Sequence, residues 1–121
     1  MPGVLIAEDN EDILEILSLL MESEGHEVWR STDGLEAEEL ALEHIPDLAI
    51  IDLMMPGKNG LDLCHDLRNN PLTAHTKLIV LTALNHQEAA AMGGEIQVDA
   101  FISKPFDIDA LIQVVDALLE S

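Results

Sequence analysis

Five side chains in this sequence follow short apolar runs and break with them chemically. Glu8 and Asp9 come after residues 4–7, Asp52 after 48–51, Thr82 after 78–81, and Lys104 after 100–103. Brought together, three carboxylates, a hydroxyl and an ammonium would require a cation, because clustered acids repel one another. Oxygen-only ligation without a Cys or His cluster favours a hard divalent ion, and Mg²⁺ suits it, keeping several waters beside one or two carboxylates. The three negative charges are then balanced by the ammonium and the ion. A phosphoryl group is the natural further ligand, since its transfer depends on positioning and on neutralising the transferring oxygens. A carboxylate can itself be the nucleophile and form an aspartyl phosphate. Asp52 is the best candidate, because it ends a uniformly apolar run and precedes a loop able to admit a donor. Glu8 and Asp9 would hold Mg²⁺ directly or through water, with the backbone carbonyl of Met54 as an added ligand. Taken singly, each of these residues could as well cap a helix or a turn, or be a solvated charge; their joint placement is what calls for chemistry.

That joint placement depends on the elements that carry them. Apolar runs alternate with stretches of helical periodicity along the whole chain. After residues 4–7, Ile13, Ile16, Leu17 and Leu20 recur at helical spacing until Gly25. A more polar strand around Val28 and Trp29 leads to Ser31, Thr32 and Asp33, whose oxygens can cap a helix carrying Leu35, Ala37, Leu40 and Ala41 and ending near His44. Residues 48–51 and 78–81 read as strands covered on both faces. Between them lie a loop punctuated by Pro56, Gly57, Asn59 and Gly60, and a helix with Leu61, Cys64 and Leu67. A weak fourth helix is expected over about residues 86–92, cut short by Gly93 and Gly94. A strand over 100–103 follows, and Asp107 caps a last helix with Ile108, Leu111, Ile112, Val115, Leu118 and Leu119 on one stripe. Five strand–helix units predict a doubly wound α/β fold, a five-stranded parallel sheet with helices on both faces. With the polar strand at an edge, the order is 2-1-3-4-5, and a site lies where the winding reverses, beyond the C-terminal ends of the strands.

Composition narrows the function classes. The 121 residues include 24 Asp and Glu against 5 Lys and Arg, a formal charge of −19, and 48% are hydrophobic. A chain of this length can bury a core without staples, and residues 1–121 read as a single domain. So few scattered cations cannot neutralise a run of phosphates, which argues against direct nucleic-acid binding and against anionic membranes. The single Cys64, the lack of a signal-peptide pattern at the start and the absence of a long apolar span make a soluble, cytoplasmic protein the expectation.

The constellation resembles the receiver domain of two-component response regulators, the chemotaxis-regulator type, with a flavodoxin-like fold. The resemblance rests on the acidic pair Glu8 and Asp9, on Asp52 followed by Leu53, Met54, Met55, Pro56 and Gly57 with Gly60, on Thr82 and Ala83, and on Lys104, Pro105 and Phe106. It implies that Asp52 accepts a phosphoryl group from a histidine-kinase phosphohistidine or a small phosphodonor. Thr82 and Lys104 would bind phosphoryl oxygens, and Glu8, Asp9, Asp52 and Met54 would bind Mg²⁺. It further implies a switch in which Thr82 and Phe101 rearrange and alter the surface of the fourth helix, fifth strand and fifth helix. Expected partners are a histidine kinase or phosphotransfer protein and an output partner, and a homodimer formed on phosphorylation is a further option. The sequence departs from the family pattern at Gly93 and Gly94, at Gln97 and Val98 where Gly-Ala is common, and in its strong negative charge. These departures bear on output rather than on phosphorylation.

On this reading the chain is a phosphoacceptor module with only self-directed phosphotransfer and autodephosphorylation, and no enzyme of diffusible substrates. A phosphatase of the haloacid-dehalogenase type combines similar residues but places a second Asp two positions after the first, where this chain has Met54. A receiver-like module that binds without phosphorylation is the third reading. The five histidines fall on different elements without paired ligand spacing. Cys64 reads as core, Gly57 and Gly60 as turn residues, and Lys58 as a cation that could steer a phosphodonor.

Overall fold

The computed structural model of the chain describes residues 1–83, 87 and 98–120. Apolar runs form the strands β1 (Gly3–Ala7), β2 (Glu27–Ser31), β3 (Leu48–Ile51), β4 (Lys77–Thr82) and β5 (Ala100–Ser103). Helices α1 (Glu11–Ser23), α2 (Gly34–His44), α3 (Gly60–Asn69) and α4 (Ile108–Glu120) lie between and after them. The last is the helix expected as fifth, because the fourth, expected over about residues 86–92, lies outside the described residues but for residue 87, as do Gly93, Gly94 and Gln97. The sheet is parallel throughout, in the order β2-β1-β3-β4-β5.

Alternation along the strands divides the core in two. Leu5, Ala7, Ala49, Ile51, Leu78 and Val80 pack with Ala37 and Ala41 of α2 and with Leu63, Cys64 and Leu67 of α3. Val4, Ile6, Leu48, Ile50, Ile79 and Leu81 face the other way, onto Leu14, Leu17 and Met21 of α1 and Leu111 and Val115 of α4. Burial on both faces explains why β1 and β3 read as unbroken apolar runs, and exposure of β2 explains its polarity as an edge. At that edge Trp29 stacks on His44, ring centroids 4.4 Å apart.

Helix starts follow local chemistry. Asn10, Asp33 and Asp107 each accept two backbone N–H groups of the first turn, and Asn59 accepts one. Helix phase is less faithful to the sequence reading. The buried stripe of α1 runs through Leu14, Leu17, Ser18 and Met21, so Ile16 is half exposed, and Leu35 and Ile108 are also exposed. In α2 the small residues Ala37 and Ala41 carry the contact, and the buried stripe of α4 starts one turn in, at Leu111. Among the described residues, no helix is long and apolar enough to cross a membrane.

Candidate functional site

The winding of the sheet reverses between β1 and β3, and the residues just past those strands meet there. Their placement follows from ladder hydrogen bonds that continue one residue beyond each strand: Glu8 N–H donates to Ser31 O at 3.0 Å, Asp52 N–H to Ala7 O at 2.9 Å, and Lys104 N–H to Thr82 O at 2.8 Å. Glu8 and Asp52 are buried, whereas Asp9 is exposed. One carboxylate oxygen from each of the three lies within 4.8 Å of the others.

Lys104 is the cation of this cluster. Its Nζ lies 2.6 Å from Glu8 Oε1 and donates to Asp52 Oδ2 at 3.1 Å. The remaining oxygens are held by backbone: Asn10 N–H donates to Glu8 Oε2, and Met54 N–H to Asp52 Oδ1, each at 3.1 Å. Glu8 Oε1 is different. It is buried, and Lys104 approaches it off the hydrogen-bond direction, so among the described residues it has an ion pair but no aligned donor. An oxygen in that condition, inside an all-carboxylate donor set, fits a hard divalent cation such as Mg²⁺.

Burial pushes the Glu8 carboxyl up from 4.5 to about 7, with the Asp52 carboxylate adding to the rise and Lys104 opposing it. Burial would lower the Lys104 ammonium, but its contacts with Glu8 and Asp52 hold it above its ordinary 10.5. One ammonium among three acids therefore stays charged and leaves negative charge uncompensated, which is the condition of a cation site.

Other expected residues take positions around this cluster. Thr82 is fully buried at the end of β4, opposite Ser103, and Ile51 pairs with Val80, so Asp52 and Thr82 lie one and two residues past a common rung. Met54 is 54% exposed and, with Asp9, Leu53, Met55 and Asn59, lines an open cavity of about 330 Å³ beside the acids. Phe101 is partly buried in β5 and packs against the core on the α2 and α3 side. A Cβ on Gly60 would lie 2.2 Å from Asp52 O, so only glycine lets α3 begin against the backbone of the acid.

Lys58 departs from expectation. Rather than a free cation beside the loop, it is paired with Glu38 and Asp66. Asn59, which the sequence marks as loop punctuation, caps α3 and lines the cavity. A capping residue directly before Gly60 and the helical stripe was the available signal for it. Nothing local in the sequence pairs Lys58 with residues 20 positions before and 8 after it.

Comparison with known proteins agrees with this architecture. The response regulator receiver domain family matches residues 4–116. Phosphate regulon transcriptional regulatory protein PhoB of Rhizobium meliloti is 36% identical over 119 residues, covering 98% of this chain and 52% of its own. The chain thus spans about half the length of the curated relatives it matches. Among solved structures, the receiver domain of Francisella response regulator 1452 superposes with a TM-score of 0.88 at 33% identity, covering 99% of this chain and 98% of that one. The receiver domain of sensor histidine kinase PA1611 from Pseudomonas aeruginosa shares the fold, with a TM-score of 0.90 at 21% identity, covering 99% and 98%. That protein was crystallised with a magnesium ion coordinated in its active site cleft.

Proposed function

The chain belongs to the response regulator receiver domain family, signalling modules whose general function is phosphorylation on an aspartate, and from that premise we propose that Asp52 is the phosphoacceptor of this one. The observation that carries the proposal is the single ammonium shared between buried Glu8 and Asp52 where the winding reverses, with Asp9 close by.

In the proposed reaction an Asp52 carboxylate oxygen attacks the phosphorus of a histidine-kinase or phosphotransfer-protein phosphohistidine, or of a small phosphodonor. The new O–P bond forms as the bond to the donor breaks, and the leaving group takes the electron pair. Met54 N–H and Lys104 Nζ, each on one oxygen of Asp52, fix the carboxylate before the donor arrives. Lys104 and the Thr82 hydroxyl then receive phosphoryl oxygens. Glu8, Asp9, Asp52 and the Met54 carbonyl would hold Mg²⁺, which when bound supplies positive charge against both the acids and the phosphoryl group. Thr82 drawn toward the new anion, with Phe101 repositioned, would carry the signal to the last strand and helix.

Residues 1–121 act in this reading as one receiver domain that works inside the cell with a kinase and an output partner, does not itself bind nucleic acid, and forms a homodimer on phosphorylation if at all. Its chemistry is confined to its own phosphorylation and autodephosphorylation. A haloacid-dehalogenase-like phosphatase is disfavoured, because the position of the general acid is Met54, which has no proton to give.

Intact-mass measurement after incubation with acetyl phosphate and Mg²⁺ tests the proposal. The wild-type chain should gain one phosphoryl group, and neither Asp52→Asn nor the chelated protein should. Labelling of Asp52→Asn would overturn the assignment, and steady release of phosphate from p-nitrophenyl phosphate would restore the phosphatase.

A further inference from the structure

Lys58, six residues beyond Asp52, stands outside the cluster of acids. Its side chain is only 20% exposed. Its ammonium donates to both oxygens of Glu38 at 3.1 Å and also to Asp66 Oδ2. Glu38 belongs to α2 and Asp66 to α3, so a cation in the loop after β3 ties that loop to two helices.

The backbone is seated at the same place. Gly34 N–H, at the start of α2, donates to Pro56 O at 3.1 Å, and a Cβ on Gly34 would lie 1.7 Å from Lys58 O. Gly57, at φ 78°, packs against Asp33, where a Cβ would meet Oδ1 at 2.6 Å. On this side the loop therefore has no slack. Its other end carries Met54, whose N–H holds Asp52 Oδ1. The segment seated against α2 is thus continuous with the backbone N–H that holds the Asp52 carboxylate.

We propose that Lys58 is a positioning residue for the site, anchored by Glu38 and Asp66, and that this ion network sets the loop geometry on which cation affinity and phosphoryl acceptance depend. The inference rests on the reading of Asp52 as phosphoacceptor beside a cation site. An apolar residue at position 58 would leave two acids facing each other across the loop, and partly buried charges are poorly screened. Lysine converts that repulsion into a clamp.

The test uses the full chain and three variants: Lys58→Met, Lys58→Arg, and a neutral triple of Lys58→Met, Glu38→Gln and Asp66→Asn. Calorimetric titration gives Mg²⁺ affinity, NMR gives amide exchange at Met54 without metal, and thermal melting gives stability. Lys58→Met should bind Mg²⁺ roughly 10-fold more weakly, as loss of a group supporting metal ligands typically does, and should exchange the Met54 amide faster. Lys58→Arg should restore both. The triple variant, freed of repulsion, should regain the thermal midpoint but not the Mg²⁺ affinity or the Met54 protection. Wild-type affinity and exchange in folded Lys58→Met, or recovery of all three properties in the triple, would overturn the proposal. Should Lys58→Met fail to fold, the triple and Lys58→Arg decide. A wild-type chain that binds no Mg²⁺ and takes no phosphoryl group would refute the underlying site reading instead, and exchange at Met54 would still measure the clamp.

Discussion

The two ends of the sheet handle their carboxylates in opposite ways. At the N-terminal end of the strands the acids lie near the surface and are matched, although the buried ring nitrogens of His26, just before β2, have no partner among the described residues. Asp47 Oδ2 accepts Gly3 N–H at 2.8 Å, Thr76 Oγ1 donates to Pro46 O at 2.8 Å, and Asp99 Oδ2 accepts both Leu78 N–H at 2.7 Å and Arg68 at 2.9 Å. At the C-terminal end, Glu8 and Asp52 are buried with one shared ammonium and an oxygen that has no aligned donor among the described residues. Buried carboxylates are normally paired and hydrogen-bonded, so two of them sharing one ammonium mark where stability has been given up for ligand chemistry.

This contrast can be broken from either end. The largest effect should come from Asp52→Asn, which is expected to abolish labelling by acetyl phosphate in an intact-mass assay. The same substitution should raise the stability of the metal-free chain by about 1 kcal/mol, because it removes one of the crowded negative charges. A lower urea midpoint for Asp52→Asn would argue against a strained acidic cluster. At the matched end, Asp99→Ala should cost about 2 kcal/mol in urea unfolding, since it strips partners from Leu78 N–H and Arg68, while the extent of labelling holds. Excess Mg²⁺ should stabilise the wild type by about 2.7 kcal/mol at 100 times its dissociation constant, seen as a higher thermal midpoint. Chelator should reverse that gain, and Asp9→Asn should diminish it. The smallest effect concerns Cys64, whose thiol burial pushes up to about 12. Disulfide reagents should modify it only as fast as the protein opens, and rapid reaction with native protein would show that the packing between α3 and the sheet is looser than described.

Much of the matched architecture was legible in residues near one another in sequence. Apolar runs covered on both faces, polarity at the edge strand and Asp or Asn at helix starts are local signals, and β1 through β5 and the caps at Asp33 and Asp107 follow from them. The gathering of Glu8, Asp9, Asp52 and Lys104 could also be read, because parallel winding sends the residues after each strand to one edge. Helix phase was harder. Ile16, Leu35 and Ile108 are apolar enough to be assigned to the core, but which face of a helix meets the sheet depends on how the whole helix seats, and small residues such as Ala37 and Ala41 can carry the contact. The partners of Lys58 were not legible, since Glu38 and Asp66 reach it only when α2 and α3 pack side by side. The expected short helix over about 86–92 lies outside the described residues but for residue 87.

The face-to-face contact of Trp29 with His44 has a practical consequence. The chain's one indole sits on the outermost strand, against an imidazole able to quench its emission, and two strands away from the carboxyl of residue 52 in β3's extension. Fluorescence will therefore follow the peeling of that outer strand and stay nearly blind to phosphoryl occupancy, which gives the experimenter an optical gauge of integrity separate from the signal being studied.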